Sequence, residues 1–198
     1  MEKTSLDEMR ERLNRLEAEM TAELDELIER KREQFRYTIQ AGRVRFDAGV
    51  RALHRSQRKG VIAYIRSAPI SYVLTAPITY ALVVPLLFLD LSMTTFQHIC
   101  FRVYGIKLVR RRDYVTFDRQ LLGYLNVIQK INCVYCSYGN GLIAYAREIA
   151  SRTEQFWCPI KHARRTADPH GRVEDFFDYG DADAYRAGLA SIRVKLLD

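Results

Sequence analysis

The chain has 198 residues, of which 48% are hydrophobic and 28% charged, and it carries a formal net charge of +7. That length holds one domain with appendages. The basicity comes without a helix-turn-helix or any other nucleic-acid signature, so no nucleic-acid partner is expected.

The N-terminal stretch MEKTSLDEMRERLNRLEAEM is charged and has no apolar run, so no signal peptide is expected and the start of the chain is expected in the cytoplasm. Leu6, Met9, Leu13, Leu16 and Met20 recur at three- and four-residue steps, and Leu24 and Leu27 follow after a stutter. The pattern predicts one long helix from about Ser5 to the Arg51 region, capped by Thr4 or Ser5 and weakest near Gly42. Its apolar seam suits a coiled coil that joins copies of the chain or recruits a partner, or equally a helix packed on its own chain.

Ser67 to Phe101 contains a single formal charge, Asp90, and residues 68–89 are 22 uncharged residues in a row. A membrane-spanning helix needs about 20. Eight Arg or Lys precede the stretch within residues 35–66 and five follow it within 102–112, against one acid, Asp47. Such flanks favour an anionic lipid surface. The stretch holds a small repeat, APISYVLT then APITYALV, and three prolines, Pro69, Pro77 and Pro85. Pro69 fits a first turn. Pro77 and Pro85 would free the carbonyls of Val73 and Ala81, which then need partners such as the Thr75 and Thr79 hydroxyls. A kinked membrane-inserted segment is predicted. Two basic flanks favour a re-entrant or two-short-helix hairpin with both flanks on one face; a single true span and a fully buried core helix of a soluble protein are the alternatives. Asp90 is expected as an interfacial residue facing water, near His98 and Cys100.

Beyond it, Phe117, Leu121, Tyr124, Leu125 and Ile128 predict an amphipathic helix starting near Asp113. The segment NCVYCSYGNG then reads as a turn, with Asn140 capping a second helix that Pro159 ends. The GNG run has no phosphate-loop pattern around it. Cys133, Cys136, Cys158 and His162 spell C-x2-C-x21-C-x3-H, the ligand types of a Cys₃His zinc site; iron or an iron–sulfur cluster is the alternative cofactor. A shared site requires the second helix to stop near Ser151, because a straight helix over 141–157 is about 26 Å long. Otherwise CVYC serves as a thiol-redox pair, or Cys158 and His162 return towards His98 and Cys100, or the cysteines are merely packed hydrophobes. A Pro/Gly loop leads to a short helix from Asp181 or Asp183, either docked on the core or offered to a partner.

The expected architecture is all-α. It comprises a long amphipathic arm over 1–60, a membrane segment over 61–106, a helical hairpin with the Cys/His cluster over 107–165, and a tail over 166–198. The expected function is a membrane-anchored, non-enzymatic metal-binding scaffold or accessory protein, with most of the chain on the cytoplasmic face. Its partners would be the lipid membrane and a homo-oligomer or larger membrane complex. The alternatives are a membrane thiol-redox or electron-transfer protein and a metal-free adaptor.

Overall fold

A computed structural model describes residues 5–40 and 43–197. It is mostly helical, with one small antiparallel hairpin. The described residues divide into two units. One runs to Lys59 and includes Leu121–Asn126; the other comprises Gly60–Gln120 and everything from Val127 onward.

In the first unit, α1 covers Ser5–Phe35. The expected arm is therefore shorter than predicted. Arg36 takes a left-handed conformation (φ 49°), which ends the helix. Strands β1 (Tyr37–Gln40) and β2 (Arg43–Phe46) follow, and α2 covers Ala48–Ser56. The Thr4 cap and the Gly42 break lie outside the described residues. YTIQ and RVRF alternate apolar with polar or charged residues, a period-two signal that the helical reading overrode. Tyr37 faces Phe46 across the ladder, and His54 sits edge-on between Phe46 and Tyr124 at 5.0 Å from each. The apolar seam of α1, from Met9 to Leu27, is exposed.

In the second unit, α3 (Val61–Ser67) leads to α4 (Ile70–Ala81) and α5 (Val83–Phe96). A π-helical turn, Gln97–Phe101, and the short α6 (Arg102–Tyr104) continue the run. Leu82, between α4 and α5, keeps right-handed helical dihedrals (φ −61°, ψ −15°). Ile70–Tyr104 is thus one 35-residue helix, about 52 Å long at 1.5 Å per residue. The prolines do not turn the chain back, and the hairpin expectation is corrected. Pro69 is the N-cap of α4 and Pro77 lies inside it. Pro85 falls in the first turn of α5, just past the Leu82 junction, and having no N–H it cannot donate to the Ala81 carbonyl. The run ends at Gly105 (φ 72°), a left-handed cap, and the Ile106 N–H reaches back to the Phe101 carbonyl at 2.8 Å.

Two short 3₁₀ turns, Arg111–Asp113 and Arg119–Leu121, occupy the region expected to hold an amphipathic helix. The helix there is α7, Val127–Trp157, a single run through NCVYCSYGNG. Its asparagines, glycines and β-branched residues are weak helix formers, but helical stability in proteins comes mainly from packing an apolar face. The α7 face packs on α5. Gly141 explains the GNG run: a Cβ there would lie 2.6 Å from the Tyr114 carbonyl oxygen, so only glycine lets that loop approach. The core comprises Phe101, Ile106, Val109, Leu142, Tyr145, Ile149 and Leu196. Each such side chain contributes about 1.5–3 kcal/mol on burial. The tail joins this core through α8 (Ala182–Val194), whose N-cap Asp181 accepts the Ala184 N–H at 2.9 Å. Gln155 donates to the Ile192 carbonyl at 3.1 Å, and Arg193 to that of Phe156 at 2.7 Å.

Candidate membrane anchor and its polar seam

From Ile70 to Phe88 the long helix exposes Ile70, Tyr72, Leu74, Ile78, Val84 and Phe88, which face several directions around its axis. The helix is long and apolar enough to cross a membrane, and its most apolar stretch has no buried residue. A helix apolar all round requires an apolar surrounding. The character changes near Leu86. Leu86, Leu89, Met93 and Phe96 pack on the core, and Phe101 is fully buried.

At that change sits a polar seam. Asp90 is not the water-facing cap expected from sequence: its carboxylate is 14% exposed and accepts from Arg111 at 2.5 Å and from the Tyr138 hydroxyl at 2.9 Å. One turn on, Thr94 donates to Asp90 at 3.3 Å. Gln97, a residue the sequence reading passed over, is buried. Its amide nitrogen donates to the Tyr145 hydroxyl, and its Oε1 accepts the Val109 N–H at 3.0 Å. A lone Gln in an apolar run was the available signal, since a buried amide must be satisfied.

Below the seam, two tyrosines join α4 to α7. Tyr80 donates to Asn132 Oδ1. Tyr135 donates to the Thr79 carbonyl at 2.9 Å, in the last turn of α4, where carbonyls lose their helical partners. The Thr75 and Thr79 hydroxyls bond the Ser71 and Thr75 carbonyls, at 2.9 and 3.3 Å, and not those of Val73 and Ala81.

Above the seam, Glu148 accepts from Arg172 at 2.6 Å and from Arg152 at 2.8 Å. Burial pushes its carboxyl up, but the two guanidiniums outweigh burial and hold it below the ordinary value. Tyr114 is pushed up by burial and by the nearby Glu148 charge. An open cleft of about 400 Å³ is lined here by Tyr114, Asn140, Arg147, Glu148, Ser151 and His170. Its polar side chains have partners within the protein: Arg147 pairs with Asp168, and His170 Nε2 lies 2.8 Å from the Glu154 carboxylate.

The four predicted ligands are not brought together. Cys133 and Cys136 lie on α7, half-buried and exposed respectively; Cys158 and His162 follow its end and are exposed. Because α7 does not stop at Ser151, about 32 Å of helix separates Cys136 from Trp157, whereas ligands of one zinc lie about 2.3 Å from the metal. Among the described residues no group of three or more His, Cys, Asp or Glu side chains could hold one metal ion. The thiol-redox alternative meets a different obstacle. Helical neighbours at i and i+3 hold their Cβ atoms about 5–6 Å apart, against about 3.8 Å in a disulfide. Cys133 also lies beyond the first turn of α7, where the helix dipole acts. Tyr104 does stack on Phe156 at 5.2 Å and meets Trp157 edge-on, so the end of α7 returns beside the end of the long helix. His98 and Cys100 join no metal-binding group there.

Comparison with protein-family models, with curated proteins and with solved structures found no match.

Proposed function

We propose that this chain is a membrane-anchored helical scaffold or accessory protein, in which the Ile70–Phe88 half of the long helix spans the bilayer. The observation that carries the reading is the exposure of apolar side chains on every face of that half except the one turned to α7, with no charge between Arg66 and Asp90. Left in water, each of these side chains would forgo about 1.5–3 kcal/mol of burial. The basic residues on either side suit anionic headgroups. The working part in this reading is α1, whose exposed seam from Met9 to Leu27 offers an apolar stripe to a second helix, from another copy or another protein.

The test is co-flotation of the purified full chain with vesicles of phosphatidylcholine and phosphatidylglycerol, followed by an alkaline carbonate wash. An integral anchor stays with the vesicles through the wash. Release by the wash, or a chain that remains monodisperse without detergent or lipid, rejects the reading.

A further inference from the structure

We infer that the first three turns of α7, Val127 to Tyr138, are a second membrane-inserted element that lies beside α4 with its free apolar edge against lipid. This rests on the reading of Ile70–Phe88 as a span.

Three contacts fix the level of α7 on the anchor. Tyr80 bonds Asn132, Tyr135 bonds the Thr79 carbonyl, and a Cβ on Gly139 would lie 3.4 Å from Leu86. Residues 132–139 of α7 therefore run beside residues 79–86, in the same direction, wholly within the uncharged stretch 68–89. Any medium that surrounds α4 at Ile78 and Leu82 also reaches this part of α7.

The composition of α7 matches that position. Between Arg119 and Arg147 the only formal charge is Lys130. Lys130 is half-buried, and its four methylenes let the ammonium extend away from the apolar surroundings. Val127, Ile131 and Val134, spaced by four and three, make one stripe. That stripe continues the line of Tyr138, Leu142 and Tyr145, which are covered by the rest of the unit, whereas Val127, Ile131 and Val134 are exposed. Two polar side chains of these turns, Asn132 and Tyr135, are used in bonds to α4. Small residues, Ser137, Gly139 and Gly141, occupy the buried face. Apolar side chains outward, with small residues and interhelical hydrogen bonds inward, is the pattern of helices that pack within lipid.

The test places a single tryptophan in the full chain by combining Trp157→Phe with Ile131→Trp, and in parallel with Val84→Trp or Ile143→Trp. Each protein is reconstituted into phosphatidylcholine–phosphatidylglycerol vesicles containing lipid with a nitroxide in mid-chain. Val134→Trp serves as a second reporter, should the helical circular dichroism of the Ile131 variant fall. The expected result is quenching at 131 within about twofold of that at 84, and weaker quenching at 143, beyond the level of Asp90. Quenching at 84 but not at 131 or 134 overturns the inference while leaving the span intact; a face covered by a second copy gives this outcome. Absence of quenching at both 84 and 131 overturns the inference and the membrane span together.

Discussion

The two halves of the helix Ile70–Tyr104 are equally continuous in backbone and differ in what surrounds them. Phe88 is 73% exposed and Phe101 is 0% exposed, only thirteen residues further along the same helix. The C-terminal half behaves as a core helix: Leu89, Met93, Phe96 and Phe101 pack on one side, and Asp90 and Gln97 are satisfied by named partners. The N-terminal half has no charged residue, packs against the rest of the chain along the half-buried line of Ala76, Tyr80, Val83 and Leu86, and buries none of its side chains fully. Hydrophobicity alone does not separate the halves. Polar residues do, because each buried polar group marks where the surrounding must be protein that can answer it.

The contrast predicts its own largest break. Phe101→Ala opens a cavity in a closed core and is expected to cost about 3–5 kcal/mol. Phe88→Ala, in the other half, is expected to change stability in detergent by less than about 0.5 kcal/mol. Denaturant titration of both variants in the same micelles measures the difference; equal losses would mean that the exposed half is covered by protein. Next in size is Ile78→Arg. At the centre of a span it opposes insertion by about 3 kcal/mol. It should shift the chain from the membrane fraction to the soluble one, while leaving melting of the Leu142–Leu196 core in detergent unchanged.

A third effect separates the packed core from the exposed half of the long helix by pH. The folded-state pKa of Glu148 is lowered from the ordinary 4.5. The stability it contributes is therefore full above that pH and disappears as the pH falls through the folded-state value. Glu148→Gln should cost about 2 kcal/mol at neutral pH. The gap in melting temperature between it and the natural chain should close below pH 4.5. A gap that stays constant with pH would mean that the two arginines do not read the Glu148 charge. Co-flotation of Glu148→Gln should match the natural chain at every pH.

What the sequence made visible follows the same division. The exposed half was legible because 22 uncharged residues need no partner to be recognised. The prolines misled: a proline in a first turn, as at Pro85, and one tolerated inside a helix, as at Pro77, look the same in sequence as a chain reversal. The hairpin after α1 was missed because its two strands are four residues each, with Arg at two positions of β2. The turn expected over NCVYCSYGNG was misread at the GNG run. Two glycines and an asparagine signal a turn unless some other segment needs the space, and that need, the Tyr114–Val115 backbone against Gly141, is a long-range fact. Asn140, expected as a cap, instead donates to the Cys136 carbonyl at 2.9 Å within the helix.

The smallest predicted effect asks whether α4 and α7 are held together by more than shape. Tyr135→Phe removes one hydroxyl and leaves the ring against Tyr80, where the two aromatic rings sit 5.9 Å apart. If the pair stood in water, the Thr79 carbonyl would gain a solvent partner and the change would be nearly neutral. In lipid no solvent replaces the hydroxyl, and interhelical hydrogen bonds average about 0.6 kcal/mol. The expected cost is therefore small, but larger in bilayers than in a micelle that admits water. A steric-trap or denaturant measurement of Tyr135→Phe in both media makes that comparison. A cost that is lower in the bilayer would mean that the Thr79 carbonyl is reached by water there, and that this level of the long helix lies outside the hydrocarbon.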